Sequence, residues 1–184
     1  MLNSLKNIFV SAWEVLEVVF IATVTVFLIR TFLVQPFVVS GASMEPTFSE
    51  RDYLLIDEVT YRFRDPERGE VIVFRYPLDE RTFFIKRIIG MPGETVISEN
   101  GLIRVLKDGK EIAINEAYLS PGARTDDTFT VRLGEDQYFV LGDNRSHSFD
   151  SKNWGAVQRK EIVGLARLRI FPLNRLSLFE APSY

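Results

Sequence analysis

The stretch TVISENGLIRVLKDGKEIAI, residues 95–114, decides the fold class. Its short runs of alternating apolar residues are interrupted twice, at Asn100-Gly101 and at Asp108-Gly109. Such dipeptides readily adopt the left-handed backbone of a two-residue turn, and between alternating runs they predict β-hairpins. This stretch therefore predicts three consecutive antiparallel strands.

The same alternation continues through most of the chain. Short runs separated by turn residues predict nine strands, at Tyr53–Ile56, Glu70–Arg75, Thr82–Ile89, Thr95–Ser98, Leu102–Leu106, Glu111–Ile114, Thr128–Leu133, Gln137–Leu141 and Ile162–Ile170. The sequence after Pro36 has no amphipathic helical period of useful length and no internal repeat. We expect a mainly β domain of coiled antiparallel sheets, barrel-like in form, in which residues of about 95–130 form a smaller β-hairpin insertion.

Composition and net charge exclude several kinds of site and partner. The chain has 184 residues, of which 46 % are apolar and 26 % charged, and a net charge of −3. This size suits one domain and an accessory segment, and this charge gives no overall attraction to nucleic acid. The absence of cysteine excludes disulfides, thiol nucleophiles and zinc–thiolate sites. The single histidine, His147, leaves little room for a histidine-rich metal site and would have to be the base of any Ser-His-Asp triad.

An apolar segment precedes the β-rich part. From Val15 to Val34, fifteen of twenty positions are apolar. As a helix at about 1.5 Å per residue, this segment would span about 30 Å, the thickness of a bilayer's hydrocarbon core. We therefore predict a tail and single transmembrane helix in residues 1–35, followed by a β-rich domain in residues 36–184.

Two alternatives for this segment are a buried soluble helix and a cleavable signal peptide. The rest of the chain offers no helical partners that could bury such a helix. The small residues Ser40-Gly41-Ala42 would suit a cleavage site, but the apolar run continues beyond Pro36, which favours retention. Charge alone does not define the orientation, because the long domain after the helix does not count in the positive-inside rule.

Two residues stand out as candidates for nucleophilic chemistry. Ser43 follows small residues that allow close approach of another backbone, although most serines in such a context are turn residues. Lys86 shares a strand face with Phe84 and Ile88. A lysine on an apolar face is either a snorkelling edge residue or a base that desolvation keeps neutral.

The polar stretch Gly142–Gly155 follows the apolar strand Gln137–Leu141. It is typical of a surface loop with Asx-turns, and it could also supply hydroxyls that orient a neighbouring base. His147 could serve Ser43 as a base, but a lone histidine between serines is more often a surface side chain.

Together these segments resemble the sequence boxes of the bacterial type I signal peptidases, membrane-bound Ser/Lys serine proteases. Ser40–Thr47 resembles the nucleophile box, Gly69–Phe74 the next strand box, Lys86–Glu94 the lysine box and Gly142–Gly155 the C-terminal box. The boxes stand in the family's order behind an N-terminal anchor. The resemblance extends from Pro36 to about Pro172.

The resemblance implies a role for each matching residue. Ser43 would be the nucleophile, Lys86 the general base, and Ser148 would orient the lysine amine. Arg87, Asp143, Asp150 and Lys152 would brace the site through ion pairs and turns. Gly41 stands where some relatives have a serine that helps stabilise the oxyanion, which leaves backbone donors alone in this chain. Lys152 replaces an arginine that is common there, and Lys86 argues against the endoplasmic-reticulum subtype with histidine.

The implied function is removal of signal peptides from exported preproteins after small residues, through an acyl-enzyme and without a metal or cofactor. The substrate would lie extended along Phe37–Ser40, and the expected pocket walls are Phe37, Val39, Met44 and Ile85. The implied partners are secretory preproteins and the lipid membrane, with the N-terminus cytoplasmic and the catalytic domain extracytoplasmic. The alternatives are an inactive, membrane-tethered β-domain that binds partners and a self-cleaving Ser/Lys regulator.

Overall fold

The computed structural model describes residues 13–27 and 34–182. Residues 13–27 form helix α1, and all of its side chains are exposed. The predicted membrane-spanning segment extends past α1 into residues 28–33, which lie outside the described residues. Within the described parts of the chain, we find no helix that combines the length and the apolar character needed to cross a bilayer.

The rest of the described chain is mainly β, which confirms the predicted class. The strands are β1 Val34–Val38, β2 Tyr53–Asp57, β3 Val71–Tyr76, β4 Asp79–Gly90, β5 Thr95–Glu99, β6 Leu102–Lys107, β7 Lys110–Ala113, β8 Phe129–Arg132, β9 Gln137–Leu141, β10 Val157–Gln158, β11 Ile162–Phe171 and β12 Ser177–Leu178. One short helix, α2, spans Ser151–Trp154. All nine predicted strands are present.

The strands form two antiparallel sheets. The larger has the order β1-β2-β11-β3-β4-β9-β10, and β12 pairs with β11. The smaller has the order β7-β6-β5-β8, and its strands lie in the segment predicted as an insertion. In the described chain β1 and β10 end the larger sheet without pairing with each other, so the sheet is open and does not form the predicted barrel-like closure.

Three apolar clusters form the core. Alternation along β3 places Ile72 and Phe74 in one cluster and Val71 and Val73 in a second, so both faces of this strand are buried. A third cluster joins Ile89 of β4 to the smaller sheet. Strand β4 therefore runs through the centre of the domain, and any polar side chain near its C-terminal end is buried.

The sequence did not predict β1, β10, β12 or α2. Strand β1 contains Pro36 and continues the apolar run of the N-terminal segment, so its residues lack the alternation of a half-buried strand. Strands β10 and β12 have two residues each, and α2 has four, which is too short for a periodic signal.

Candidate active site

The larger sheet brings Ser43 and Lys86 together from distant parts of the chain. Ser43 lies in the turn that follows β1, and Lys86 projects from β4. Lys86 Nζ lies 2.7 Å from Ser43 Oγ and 3.0 Å from the backbone oxygen of Ile85. It also lies 5.4 Å from the centre of the Phe84 ring. The Lys86 amine, which lies beside the Phe84 ring, is therefore within hydrogen-bond distance of the Ser43 hydroxyl.

Burial changes the acidity of this lysine. Lys86 is only 4 % exposed. Loss of hydration lowers the pKa of its ammonium group from 10.5 to about 8, although the negative charges of Asp150 and Asp143 partly oppose this effect. A substantial fraction of Lys86 is consequently neutral at mildly alkaline pH, and only the neutral amine can accept a proton.

The turn around Ser43 is fixed from both sides. Gly41 has φ +86°, a left-handed conformation that other residues rarely adopt. The backbone nitrogen of Asn144 donates to the Ser43 carbonyl at 3.0 Å, and its side-chain amide donates to the Ala42 carbonyl at 3.1 Å. The backbone N–H of Ser43 has no hydrogen-bond acceptor among the described residues, so it is available to a ligand.

Arg87 and Asp143 form a buried ion pair next to this turn. Arg87 Nε and a terminal nitrogen donate to the two Asp143 carboxylate oxygens at 2.9 and 2.6 Å. A second terminal nitrogen donates to the Gly69 carbonyl at 2.7 Å, and the guanidinium lies 4.1 Å from the centre of the Tyr118 ring. The Thr47 hydroxyl donates to Asp143, which ties the pair to the segment after Ser43.

Asp150 and Lys152 hold the far end of the 142–155 loop. Asp150 caps the N-terminus of α2 by accepting from the backbone nitrogen of Lys152, and it also accepts from the backbone nitrogen of Gly142 at 3.1 Å. Lys152 Nζ contacts the Asp127 carboxylate at 3.0 Å and donates to the Arg145 carbonyl at 3.1 Å. The loop is thus tied both to its own helix and to the insertion.

Ser148 has an unusual environment. Its hydroxyl oxygen is buried and has no hydrogen-bond partner in the described chain. A Cβ atom built at Gly142 would collide with the Ser148 side chain and with the Ser43 carbonyl oxygen, so both lie tightly against this glycine. Ser148 is therefore beside the site, although the hydrogen bonds of Lys86 Nζ go to Ser43 and Ile85.

A cleft of about 320 Å³ lies beside the Ser43–Lys86 pair. Three of the four expected wall residues, Phe37, Val39 and Ile85, line it. Met44 does not line the cleft. It is fully buried in the second core cluster, because the helical turn after Ser43 directs its side chain into the domain. His147 lines the cleft at its rim, where its Nδ1 lies 2.9 Å from Ser146 Oγ.

Sequence reasoning missed three residues of this site: Thr47, Tyr118 and Arg145. Arg145 is 4 % exposed and binds Glu116 at 2.6 Å, Thr125 Oγ1 at 2.8 Å and the Gly142 carbonyl at 3.1 Å. It thereby joins the insertion to the loop that carries Ser148. Its position in a polar loop gave no local signal of burial, since its partners are distant in sequence.

No group of three or more histidine, aspartate or glutamate side chains in residues 13–27 and 34–182 could hold a metal ion. The site brings a serine hydroxyl and a buried amine into contact next to an apolar cleft. A serine beside an amine that can accept its proton is chemically suited to nucleophilic attack on a carbonyl.

Comparison with known proteins identifies the family. The family described as signal peptidase, peptidase S26, matches residues 12–171. The chain is 42 % identical to a probable signal peptidase I-2 of Synechocystis sp., over 82 % of this chain and 69 % of the relative. It is 36 % identical to a signal peptidase I P of Bacillus subtilis subsp. natto, over 88 % of this chain and 90 % of the relative. The chain therefore belongs to the S26 signal peptidase family, and the resemblance seen in its sequence is confirmed.

A solved structure is also similar. A signal peptidase I from Enterococcus faecalis matches with a TM-score of 0.46 and 29 % identity, over 55 % of this chain and 97 % of the other. Family membership favours a serine peptidase over the two alternatives, an inactive binding domain and a self-cleaving regulator.

The buried ion pair provides a test of how the site is held. Replacing Arg87 by methionine leaves the Asp143 carboxylate buried without its main partner. We expect Arg87→Met to lower the free energy of unfolding by about 3–5 kcal/mol, measured by urea denaturation. The double variant Arg87→Met/Asp143→Leu should recover part of this loss. Arg104→Met, which breaks partly exposed pairs with Glu99 and Glu111, is the control and should lose about 1 kcal/mol or less for each pair. An equal loss of unfolding free energy in Arg87→Met and Arg104→Met would contradict the bracing role of the Arg87–Asp143 pair.

Proposed function

We propose that Ser43 and Lys86 carry out the family's reaction, the removal of signal peptides, as nucleophile and general base. The observation that carries this proposal is the 2.7 Å contact between Ser43 Oγ and an amine that is almost completely buried. A lysine base must be neutral, and burial favours the neutral form.

The hydrogen bonds around the amine support this assignment. A neutral lysine amine has two N–H donors and one lone pair. One N–H is directed to the Ile85 carbonyl. We assign the second to the Ser148 hydroxyl oxygen, which is buried nearby and otherwise unpartnered. With both donors so used, the lone pair is directed at Ser43, and the Ser43 hydroxyl donates to it.

The proposed reaction has two steps, acylation of Ser43 and hydrolysis of the acyl-enzyme. Ser43 Oγ attacks the scissile carbonyl while its proton moves to Lys86, and the free N–H of Ser43 stabilises the oxyanion. Lys86 returns the proton to the departing amine, which becomes the N-terminus of the mature protein. Water then attacks the acyl-enzyme and gives one proton to Lys86, which passes it to the Ser43 oxygen as the ester bond breaks. The signal peptide leaves with a new carboxylic acid group, which loses its remaining proton to the solvent.

The substrate would bind as an added strand in the cleft. Strand β1 pairs on one side with β2 and has no partner on its other side within residues 34–182. Phe83–Ile85 of β4 pair with β3, whereas β9 pairs only with the later residues Arg87–Gly90. Both free edges contribute to the cleft, so an extended peptide could bond to backbone there, with its small side chains against Phe37, Val39 and Ile85.

We further propose that residues 1–35 anchor the enzyme in a membrane and that residues 36–184 form its catalytic domain outside the cytoplasm. The apolar run Val15–Val34 supports the anchor. The proposed substrates are exported preproteins, which emerge from a membrane, so an anchored enzyme would meet them there. An anchor that leads directly into β1 would keep the cleft close to the membrane surface.

The neutral-lysine mechanism predicts a specific pH dependence. Because the pKa of Lys86 is about 8, the neutral fraction is about one-tenth at pH 7 and about nine-tenths at pH 9. The initial rate on a preprotein should therefore rise about tenfold between these values and then level off. Ser43→Ala should be inactive. Lys86→Arg should be as inactive as Lys86→Ala, because a guanidinium does not deprotonate in this range.

These rates are measured on the detergent-solubilised full chain, with folding of each variant checked by circular dichroism. Substantial activity in Lys86→Arg, or a rate that increases only above pH 10, would refute Lys86 as the neutral base. Activity that survives in Ser43→Ala would refute the nucleophile.

Ser148 is expected to position the lysine rather than to react. Ser148→Ala should lower kcat about tenfold or more without abolishing it, and should move the pKa seen in the kcat profile. Its melting temperature should fall by only a few degrees, because the one hydrogen bond assigned to the hydroxyl, from Lys86, contributes about 1 kcal/mol. His147→Ala, the neighbouring control, should have the smaller effect on kcat. A larger effect of the histidine change would favour a Ser-His arrangement instead.

Membrane orientation is tested in sealed spheroplasts that express the full chain. External protease should digest residues 36–184 without lysis, while a cytoplasmic marker protein remains protected. A protected β domain would contradict the orientation. A mature N-terminus at Ser43, found by N-terminal sequencing, would contradict retention of the anchor.

A further inference from the structure

A second groove, of about 580 Å³, adjoins the cleft. Its walls come from Glu45, from the 143–147 segment and from residues 120–126 of the insertion. His147 lines both cavities, so the groove and the cleft share one wall residue. Asn144, which binds the backbone of Ala42 and Ser43, also lines the groove. The cleft is lined by residues up to Ser43 and the groove by Glu45 just after it, so along the chain they border the Ser43 turn before and after the nucleophile.

The position of the groove indicates which part of a bound substrate it would contact. The cleft follows β1 and residues 38–42, which lead up to Ser43 from its N-terminal side. If the signal peptide occupies the cleft, the chain after the scissile bond must leave Ser43 on the opposite side. Glu45 and Asn144 stand on that side.

The charges of the groove are almost fully compensated. Arg124 pairs with Asp126, Asp143 with Arg87, and Arg145 with Glu116. The remaining carboxylate, on exposed Glu45, forms no hydrogen bond or ion pair with any described residue. An extended peptide that passes through the groove therefore meets one uncompensated negative charge, two residues after the nucleophile.

We propose that this groove binds the first residues of the mature chain, and that Glu45 favours a cationic side chain there and disfavours an acidic one. The inference rests on the proposed function, because it takes the cleft as the site of the signal peptide. Glu45 is thus a specificity-determining residue on the leaving side of the bond.

The test uses preprotein substrates that are identical up to the scissile bond and carry Lys, Gln or Glu at the second position after it. The wild-type chain should show a kcat/KM ratio of Lys to Glu substrate of about two to five at low ionic strength, as for an exposed ion pair. The ratio should approach one in 1 M salt, where such charges are screened. Glu45→Gln should remove the preference at low salt, and Glu45→Lys should reverse it.

Glu50→Gln is the matched control. Glu50 is also exposed and lies in the same loop, but it lines neither cavity, so the variant changes net charge equally and should keep the wild-type ratio. A ratio unchanged in Glu45→Gln, or changed as much in Glu50→Gln, would overturn the inference. If the wild type cleaves all three substrates equally, only this inference fails. If it cleaves none of them, the proposed function itself fails.

Discussion

The whole site depends on the burial of one amine. Moving the pKa of Lys86 from 10.5 to about 8 corresponds to about 3 kcal/mol of differential free energy between its charged and neutral forms. The folded state carries this cost below pH 8, where the folded lysine is charged without its hydration. The cost disappears as the pH approaches 10.5, because the unfolded chain then loses its proton as well. The domain tolerates it because β4 is embedded in an extensive apolar core.

The alternation of β4 allows a single strand to carry both the buried amine and the ion pair that supports it. Lys86 shares its face with Ile88 of the first core cluster, and Arg87 projects to the opposite face. There Arg87 holds Asp143, whose loop fixes the Ser43 carbonyl through Asn144. A displacement of β4 would therefore move the amine and the serine turn together, which preserves their separation. Tyr118 and Arg145 extend this support to the insertion, so the smaller sheet also stabilises the active-site loop.

Much of this structure follows from local sequence, and the rest depends on distant contacts. The strands around Asn100-Gly101 and Asp108-Gly109 were predictable because turn and alternation lie within a few residues. Strand β1 was hidden in a continuous apolar run. Ser43 and Lys86 were recognisable as chemical types, but their contact joins residues 43 positions apart and needs the sheet to form. Met44 was expected at a pocket wall, and nothing local indicated that its turn would direct it into the core. Arg145 was missed for the same reason, since its partners Glu116 and Thr125 lie in another sheet's connections.

The cleft and the groove near Ser43 differ in polarity, and this difference suits the two products of the proposed reaction. The cleft has apolar walls from β1 and β4 and free strand edges, so it can recognise a peptide through its backbone and small side chains. The groove on the other side is polar, and its paired charges are supplied largely by loops. In the proposed mechanism, backbone pairing would hold the signal peptide while the acyl-enzyme exists, whereas the mature chain would contact mainly hydrated side chains. Because screened, exposed charges bind weakly, this difference predicts that the mature chain leaves first. Its departure would open Ser43 to the water of the second step.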